Sequence, residues 1–237
     1  MITVKYNGRL GNQIFQYMAA SIFAEKHNLF LDFRTQEENG YKNLSYLLKY
    51  ISGEKKIDCG RLEINDDNYF NYLNKDEIED LHYYFNGFFQ LRNFVTNYQN
   101  DILKRYLYSN VDKRSNDEFI VHLRMADIVS YVGNLDYDYY KNSIQSMNKL
   151  KGYIISDEPN SILTNRLIDD FNLELYHKNE YDDFLFATGF NNMILSQGTY
   201  SFLIGFFSKA KNVYYSSRPP VWHGDIFLNT WVDMYES

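Results

Sequence analysis

The sequence predicts an α/β protein whose parallel strands are covered by helices on both faces. Three observations carry this. The chain opens strand–turn–helix–strand, its second half alternates short apolar runs with segments of helical period, and polar clusters fall where strands end and helices begin.

Ile2 to Tyr6 is short, apolar and β-branched, hence a strand. Asn7-Gly8-Arg9-Leu10-Gly11-Asn12 is a turn. From Gln13 to His27 the apolar residues fall at Ile14, Phe15, Tyr17, Met18, Ile22 and Phe23, a helical spacing that ends near Asn28. Leu29 to Phe33 reads as the second strand. Residues 34–84 carry polar and acidic clusters, including Asn65-Asp-Asp-Asn68, and read as short helices joined by solvated loops. Phe85 to Phe89 reads as a strand and Phe94 to Tyr108 as a helix. Ser109 to Glu118 is polar and is the linker candidate, so domains are expected at 1–112 and 113–237.

The alternation then becomes regular. Strands are expected at Phe119 to Leu123, Tyr153 to Ile155, Leu173 to Tyr176, Met193 to Leu195 and Val213 to Tyr215. Helices are expected near Tyr139 to Met147, Ile162 to Phe171, Asp182 to Thr188 and Tyr200 to Phe207. Strands that alternate with helices imply a parallel sheet.

The composition narrows the class. The 237 residues suffice for one large domain or two small ones, and 45% are hydrophobic, enough to bury a sizeable core. The 23 Tyr and 18 Phe fill a core, or in part line a sugar site, where flat rings fit C–H faces. A formal net charge of −7 argues against a general nucleic-acid binder but allows one small basic pocket. Cys59 is the single cysteine, so no internal disulfide forms and no zinc-type spacing exists; this fits a reducing cytosol. The N-terminus lacks a signal-peptide pattern, and no apolar run reaches the roughly 18 residues of a membrane span. A cytoplasmic location, at most peripheral to a membrane, is expected.

In open α/β sheets ligands bind beyond the carboxyl ends of strands. Three polar clusters fall there. Gly8-Arg-Leu-Gly-Asn-Gln13 follows a strand and opens a helix; it is either a phosphate cradle or a structural βα turn. No Lys-Ser/Thr follows its glycine and it is not G-x-G-x-x-G, which disfavours a P-loop and a nicotinamide cofactor. His122-Leu-Arg-Met-Ala-Asp127 directly follows the strand residues Phe119 to Val121, and alternation puts His122 and Arg124 on the same side of the strand end. Arg124 offers a rigid fork for phosphate oxygens, or closes the loop through an ion pair with Asp127. Ser196-Gln-Gly-Thr-Tyr-Ser201 is either an anion nest or an ordinary N-cap by Ser or Thr. Two possible anion cradles and an arginine suit a diphosphate leaving group, and no H-E-x-x-H or EF-hand loop calls for a metal. His27, His82, His177 and His223 fall outside these clusters and read as surface or core histidines.

Gly8-Arg-Leu-Gly-Asn-Gln-Ile-Phe-Gln-Tyr17 closely resembles G-R-L-G-N-Q-M-F-Q-Y, the opening motif of the α-1,2-fucosyltransferases, glycosyltransferase family eleven. Other pieces follow in order. Gly87-Phe-Phe-Gln90 resembles G-Y-x-Q, Val121 to Asp127 resembles H-x-R-R-x-D, and Asp138 to Ile144 resembles Y-Y-x-x-A-I. Ile155-Ser-Asp157 is similar to F-S-D, Ser196 to Phe202 to A-N-S-T-F-S-W, and Pro219-Pro-Val-Trp222 to P-x-x-W. The resemblance spans nearly the whole chain.

It implies a GT-B-like pair of Rossmann-like α/β domains, with the donor site in the cleft and GDP-fucose held mainly by the C-terminal domain. It implies inversion at the fucose anomeric carbon, no cofactor and no metal. By position, Arg124 meets the diphosphate and His122 the nucleotide. Thr199, Tyr200 and Ser201 hold phosphate oxygens, Gly11 and Asn12 approach the donor from the N-terminal, acceptor-side domain, and Gln13, Gln197 and Gly198 are further donor-binding residues. Asp183, its neighbour Asp182, or Asp157 reads the guanine. The acceptor is a glycan or oligosaccharide, with the 2-hydroxyl of galactose the expected target. Arg124 is the catalytic candidate; Asp127 is either a general base or the residue that orients Arg124. Met125 stands where the family has its second arginine, Ala126 where it has glycine, and Gln197 where it has asparagine. These departures leave open another nucleotide sugar, or a nucleotide-sugar-binding protein without catalysis.

Overall fold

The computed structural model describes residues 1–32, 43–56, 60–108, 113–126, 135–218 and 226–235. They form two compact units, Met1–Leu107 and Tyr108–Ser237. Each is an α/β unit built on an all-parallel sheet.

In the first unit, β1 (Ile2–Val4), β2 (Leu31–Asp32), β3 (Arg61–Ile64) and β4 (His82–Phe85) pair in the order β2-β1-β4-β3. The helix α1 (Leu10–Lys26) links β1 to β2 and is buried from Leu10 to Ala24. A helix buried on all sides lies inside a core rather than on its surface, and its polar residues Asn12, Gln13, Gln16 and Ser21 are among those buried. Phe23 is its pivot, with ring centroids 5.4 Å from both Tyr83 and Phe85. Short helices α2 (Tyr69–Leu73), α3 (Arg92–Asn97) and α4 (Gln99–Leu103) add Tyr69 and Phe94, whose rings meet edge-on at 5.7 Å. Arg105 is fully buried and ties this unit together. Its Nε donates to Ser21 Oγ at 2.7 Å, Nη1 to Asp101 O at 2.6 Å and Nη2 to Glu25 Oε2 at 2.6 Å.

Three expectations need correction here. Residues 61–64 form a strand, not part of a run of short helices, because pairing with β4 over Arg61↔His82 to Ile64↔Phe85 overrides their charged pattern. The strand expected at Phe85 to Phe89 lies earlier and ends at Phe85, since Phe89 takes a left-handed backbone at φ +56°. The single helix expected at Phe94 to Tyr108 is two helices divided at Tyr98, whose φ of −115° and ψ of 22° leave the helical region. The acidic Asn65–Asn68 loop also has a structural task. Asp66 accepts the backbone N–H groups of Phe88 and Phe89, which fixes the turn after β4.

In the second unit, β5 (Glu118–Leu123), β6 (Lys151–Ser156), β7 (Glu174–Leu175), β8 (Asn192–Ile194), β9 (Asn212–Tyr215) and β10 (Val232–Asp233) form a sheet ordered β10-β9-β8-β5-β6-β7. The chain runs outward from β5 to β7, returns to β8 beside β5, and runs outward again to β10. This is the 3-2-1-4-5-6 order of a doubly wound, Rossmann-like sheet. The connecting helices are α5 (Tyr137–Met147), α6 (Ile162–Phe171), α7 (Glu180–Thr188) and α8 (Thr199–Ser208). Asp136, Ser161 and Asn179 cap α5, α6 and α7 through their side chains. Asn148, Asn172 and Lys209 end α5, α6 and α8 in the left-handed region. Lys113 Nζ donates to the last-turn carbonyls Thr188 O and Ser208 O, where helix dipoles favour a cation. The core joins Val121, Leu123, Tyr140, Ile154, Leu167 and Ile194. Among the described residues, no helix is long and apolar enough to cross a membrane.

Candidate functional site

The order of the second sheet creates a switch point between β5 and β8, where consecutive connections diverge and a crevice opens at the strand ends. The two strands pair at Ile120↔Met193 and Val121↔Ile194, so their carboxyl ends leave the sheet side by side. One delivers Arg124 and the other Gly198. The guanidinium lies against the glycine: a Cβ on Gly198 would sit 2.0 Å from Arg124 Nη1 and 3.2 Å from its Cζ. Gly198 has φ +102° and is the N-cap of α8. No side chain caps this helix and its first turn holds no acidic residue, which corrects the N-cap reading of the serine and threonine there. The positive end of the α8 dipole and the Arg124 charge therefore converge at one place.

His122 and Ser201 build the floor. His122 Nδ1 and Ser201 Oγ are 2.6 Å apart, and both residues are buried. Ser201 Oγ also donates to Gln197 O at 3.3 Å, so its oxygen is left to accept the Nδ1–H of histidine. Burial pushes the His122 pKa down to about 4, with Asp157 raising it and Arg124 lowering it by smaller amounts. His122 is thus a neutral imidazole at pH 7, and the cationic side chain of this pair is Arg124. The Tyr200 ring lies 5.3 Å from that of His122 and 5.3 Å from that of Phe184, and its hydroxyl donates to Glu180 O at 2.6 Å. Thr199 is buried in the same first turn. Gln197 Nε2 donates to Arg218 O at 2.6 Å.

Asp157, at the end of β6, works on backbone. Its Oδ1 accepts Met125 N–H at 2.7 Å and Ala126 N–H at 3.3 Å, fixing the segment that follows Arg124. Met125 turns its sulfur to Ser161 Oγ, 3.1 Å away, and packs against the core. Asp183 lies in the first turn of α7, where Oδ1 accepts Lys178 N–H at 2.9 Å and Oδ2 is 3.6 Å from His177 Nδ1. Burial raises its pKa, against the lowering effect of the Lys178 N–H. Asp182 Oδ2 accepts from Asn179 Nδ2 at 2.8 Å. Each carboxylate offered for guanine thus has a protein donor already. Asp127 lies outside the described residues, as do Cys59, His223 and Pro219 to Trp222.

Gly11, Asn12 and Gln13 belong to the first unit, in the first turn of α1. Gly8 has φ +75°, and a Cβ there would meet Asn12 Nδ2 at 2.1 Å. Gln13 Nε2 donates to Gly8 O at 3.0 Å, and Asn12 Oδ1 accepts from Gln90 Nε2 at 2.9 Å. Gln16, which drew no attention in the sequence, joins Asn7 N–H (3.0 Å) to Gly87 O (3.0 Å). These bonds clamp the ends of β1 and β4, the switch point of this sheet, to the start of α1. His82 bonds Thr3 Oγ1 at 2.8 Å, and the His27 ring lies tilted against that of Phe23, 4.6 Å away.

The second unit thus gathers His122, Arg124, Gln197, Gly198, Thr199, Tyr200 and Ser201 at one strand-end crevice, with Asp157 behind them. Arg218, just beyond β9, was missed because its neighbourhood depends on strand order, not on a local motif. Among the described residues, no group of three or more His, Cys, Asp or Glu is placed to hold a metal ion. The fold is that of a two-unit α/β protein with parallel sheets. No family model matches the chain, and no curated protein matches it.

Proposed function

We propose that this chain is an inverting glycosyltransferase of GT-B type that moves L-fucose from GDP-fucose to a hydroxyl of a glycan, the 2-hydroxyl of galactose being the favoured acceptor. The observation that carries the reading is the meeting of Arg124 with Gly198 at the uncapped start of α8. In a single displacement the acceptor hydroxyl attacks the anomeric carbon, its C–O bond forms as the bond to the β-phosphate oxygen breaks, its proton passes to the departing phosphate, and GDP leaves. Negative charge grows on that phosphate. Donors fixed in advance at growing charge are commonly the largest catalytic contribution, and losing one costs about 3 kcal/mol. Arg124 and the first turn of α8 fill this role. Neutral His122 orders that turn through Ser201 and adds no charge. The resemblance in Gly8 to Tyr17 and Val121 to Asp127 supports fucose as the transferred sugar.

The test is transfer of labelled fucose from GDP-fucose to galactose-terminated oligosaccharides, with EDTA present. Product with an α-1,2 linkage supports the reading. Transfer from UDP-galactose or GDP-mannose instead would move it to another donor, and donor binding without transfer to any acceptor would leave a binding protein.

A further inference from the structure

We propose that Arg218 is a second phosphate-binding cation of this crevice, held in reserve by Asp136 until a diphosphate arrives. The inference rests on the reading that the crevice takes a diphosphate.

Position comes first. β9 lies parallel to β8, with Ile194↔Tyr214 in register, so the segment after β9 emerges next to the Gln197–Gly198 turn. Its backbone is anchored there. Gln197 Nε2 donates to Arg218 O at 2.6 Å, Ser216 Oγ accepts Arg218 N–H at 3.2 Å, and Ser217 N–H reaches Asp233 Oδ1 at 3.1 Å. The side chain, in contrast, is loosely held. Among the described residues its contact is Nη1 to Asp136 Oδ2 at 3.5 Å, with the two side chains 46% and 65% exposed. An exposed pair at that distance is weak, whereas the guanidinium fork suits phosphate oxygens. Asp136 loses nothing essential on release, because its Oδ1 keeps capping α5 at Tyr139 N–H, 2.9 Å away.

Charge makes the case for a second cation. A nucleotide sugar carries an ionised oxygen on each of two phosphate groups. Arg124 supplies one full charge, the start of α8 supplies roughly half of one, and His122 supplies none. Met125, the neighbour that could have added one, faces Ser161 and the core.

Calorimetric titration with inorganic pyrophosphate and with GDP-fucose tests this on wild type, Arg218→Ala, Arg218→Lys and Asp136→Asn. Asparagine still caps a helix, so the last variant keeps α5. Arg218→Ala is expected to weaken pyrophosphate at least fivefold with the thermal midpoint unchanged. Lysine should restore part of the loss, and Asp136→Asn should bind as well as wild type or better. Pyrophosphate affinity within twofold of wild type in Arg218→Ala overturns the inference, while GDP-fucose binding by the same proteins would leave the donor reading standing. Arg218-dependent pyrophosphate binding without GDP-fucose binding keeps the inference and sinks that reading. Wild type that binds no pyrophosphate overturns the inference.

Discussion

The guanidinium of Arg124 occupies the space that any side chain at residue 198 would need, since a Cβ on Gly198 would lie 2.0 Å from Nη1. The glycine is required twice over, because its φ of +102° is also one that L side chains rarely adopt. Gly198→Ala is therefore expected to displace Arg124 and to cost about 1–3 kcal/mol in backbone strain. GDP affinity should fall at least tenfold by calorimetry, with a lower thermal midpoint. Unchanged affinity would show that Arg124 does not depend on this contact.

The buried His122–Ser201 pair gives a pH dependence. The folded pKa of His122, about 4, lies below its ordinary 6.5, so the unfolded chain binds the extra proton first. Stability is fully present above pH 6.5 and is lost as pH falls through the interval to 4. Urea unfolding of wild type and His122→Asn across this range should show the slope reduced in the variant. Ser201→Ala, which leaves Nδ1 without its acceptor, should cost about 1–3 kcal/mol.

Much of the second unit was legible in the sequence, and the reason is local. Helix Ile162–Phe171 has the expected bounds because Ser161 caps its start and Asn172 takes φ +50° at its end. Strand β3 was not legible, since Arg61 and Glu63 obscure its period and only pairing with β4 makes it a strand. The clusters holding Arg124 and Gly198 could each be found. That they meet depends on β8 returning to pair with β5, a fact of topology that no local motif encodes. Arg218 was missed for the same reason.

In the first unit, Arg105 makes its three hydrogen bonds with no exposure. Arg105→Ala is expected to cost about 3 kcal/mol in urea unfolding, the lower end for a broken buried ion pair, because Glu25 can turn to water. Burial raises the Glu25 pKa, but hydrogen bonds from Lys104 and Arg105 outweigh it and leave the value lowered. Its contribution is present above the usual carboxylate range and is lost as pH falls through the lowered folded value. The variant should lose part of this acid dependence.

Asp66 tests the turn after β4. Its carboxylate accepts two backbone N–H groups, and Phe89 keeps its left-handed conformation behind them. Asp66→Ala should destabilise the protein by roughly 2 kcal/mol, measured by urea unfolding. A loss below 0.5 kcal/mol would show that water replaces the carboxylate.

The most direct test of the central claim is GDP-fucose affinity, measured by calorimetry in EDTA for wild type and Arg124→Ala. The account predicts selective binding by wild type and at least a hundredfold loss in the variant, about 3 kcal/mol. Equal affinities, or no binding of GDP-fucose by wild type, would contradict it.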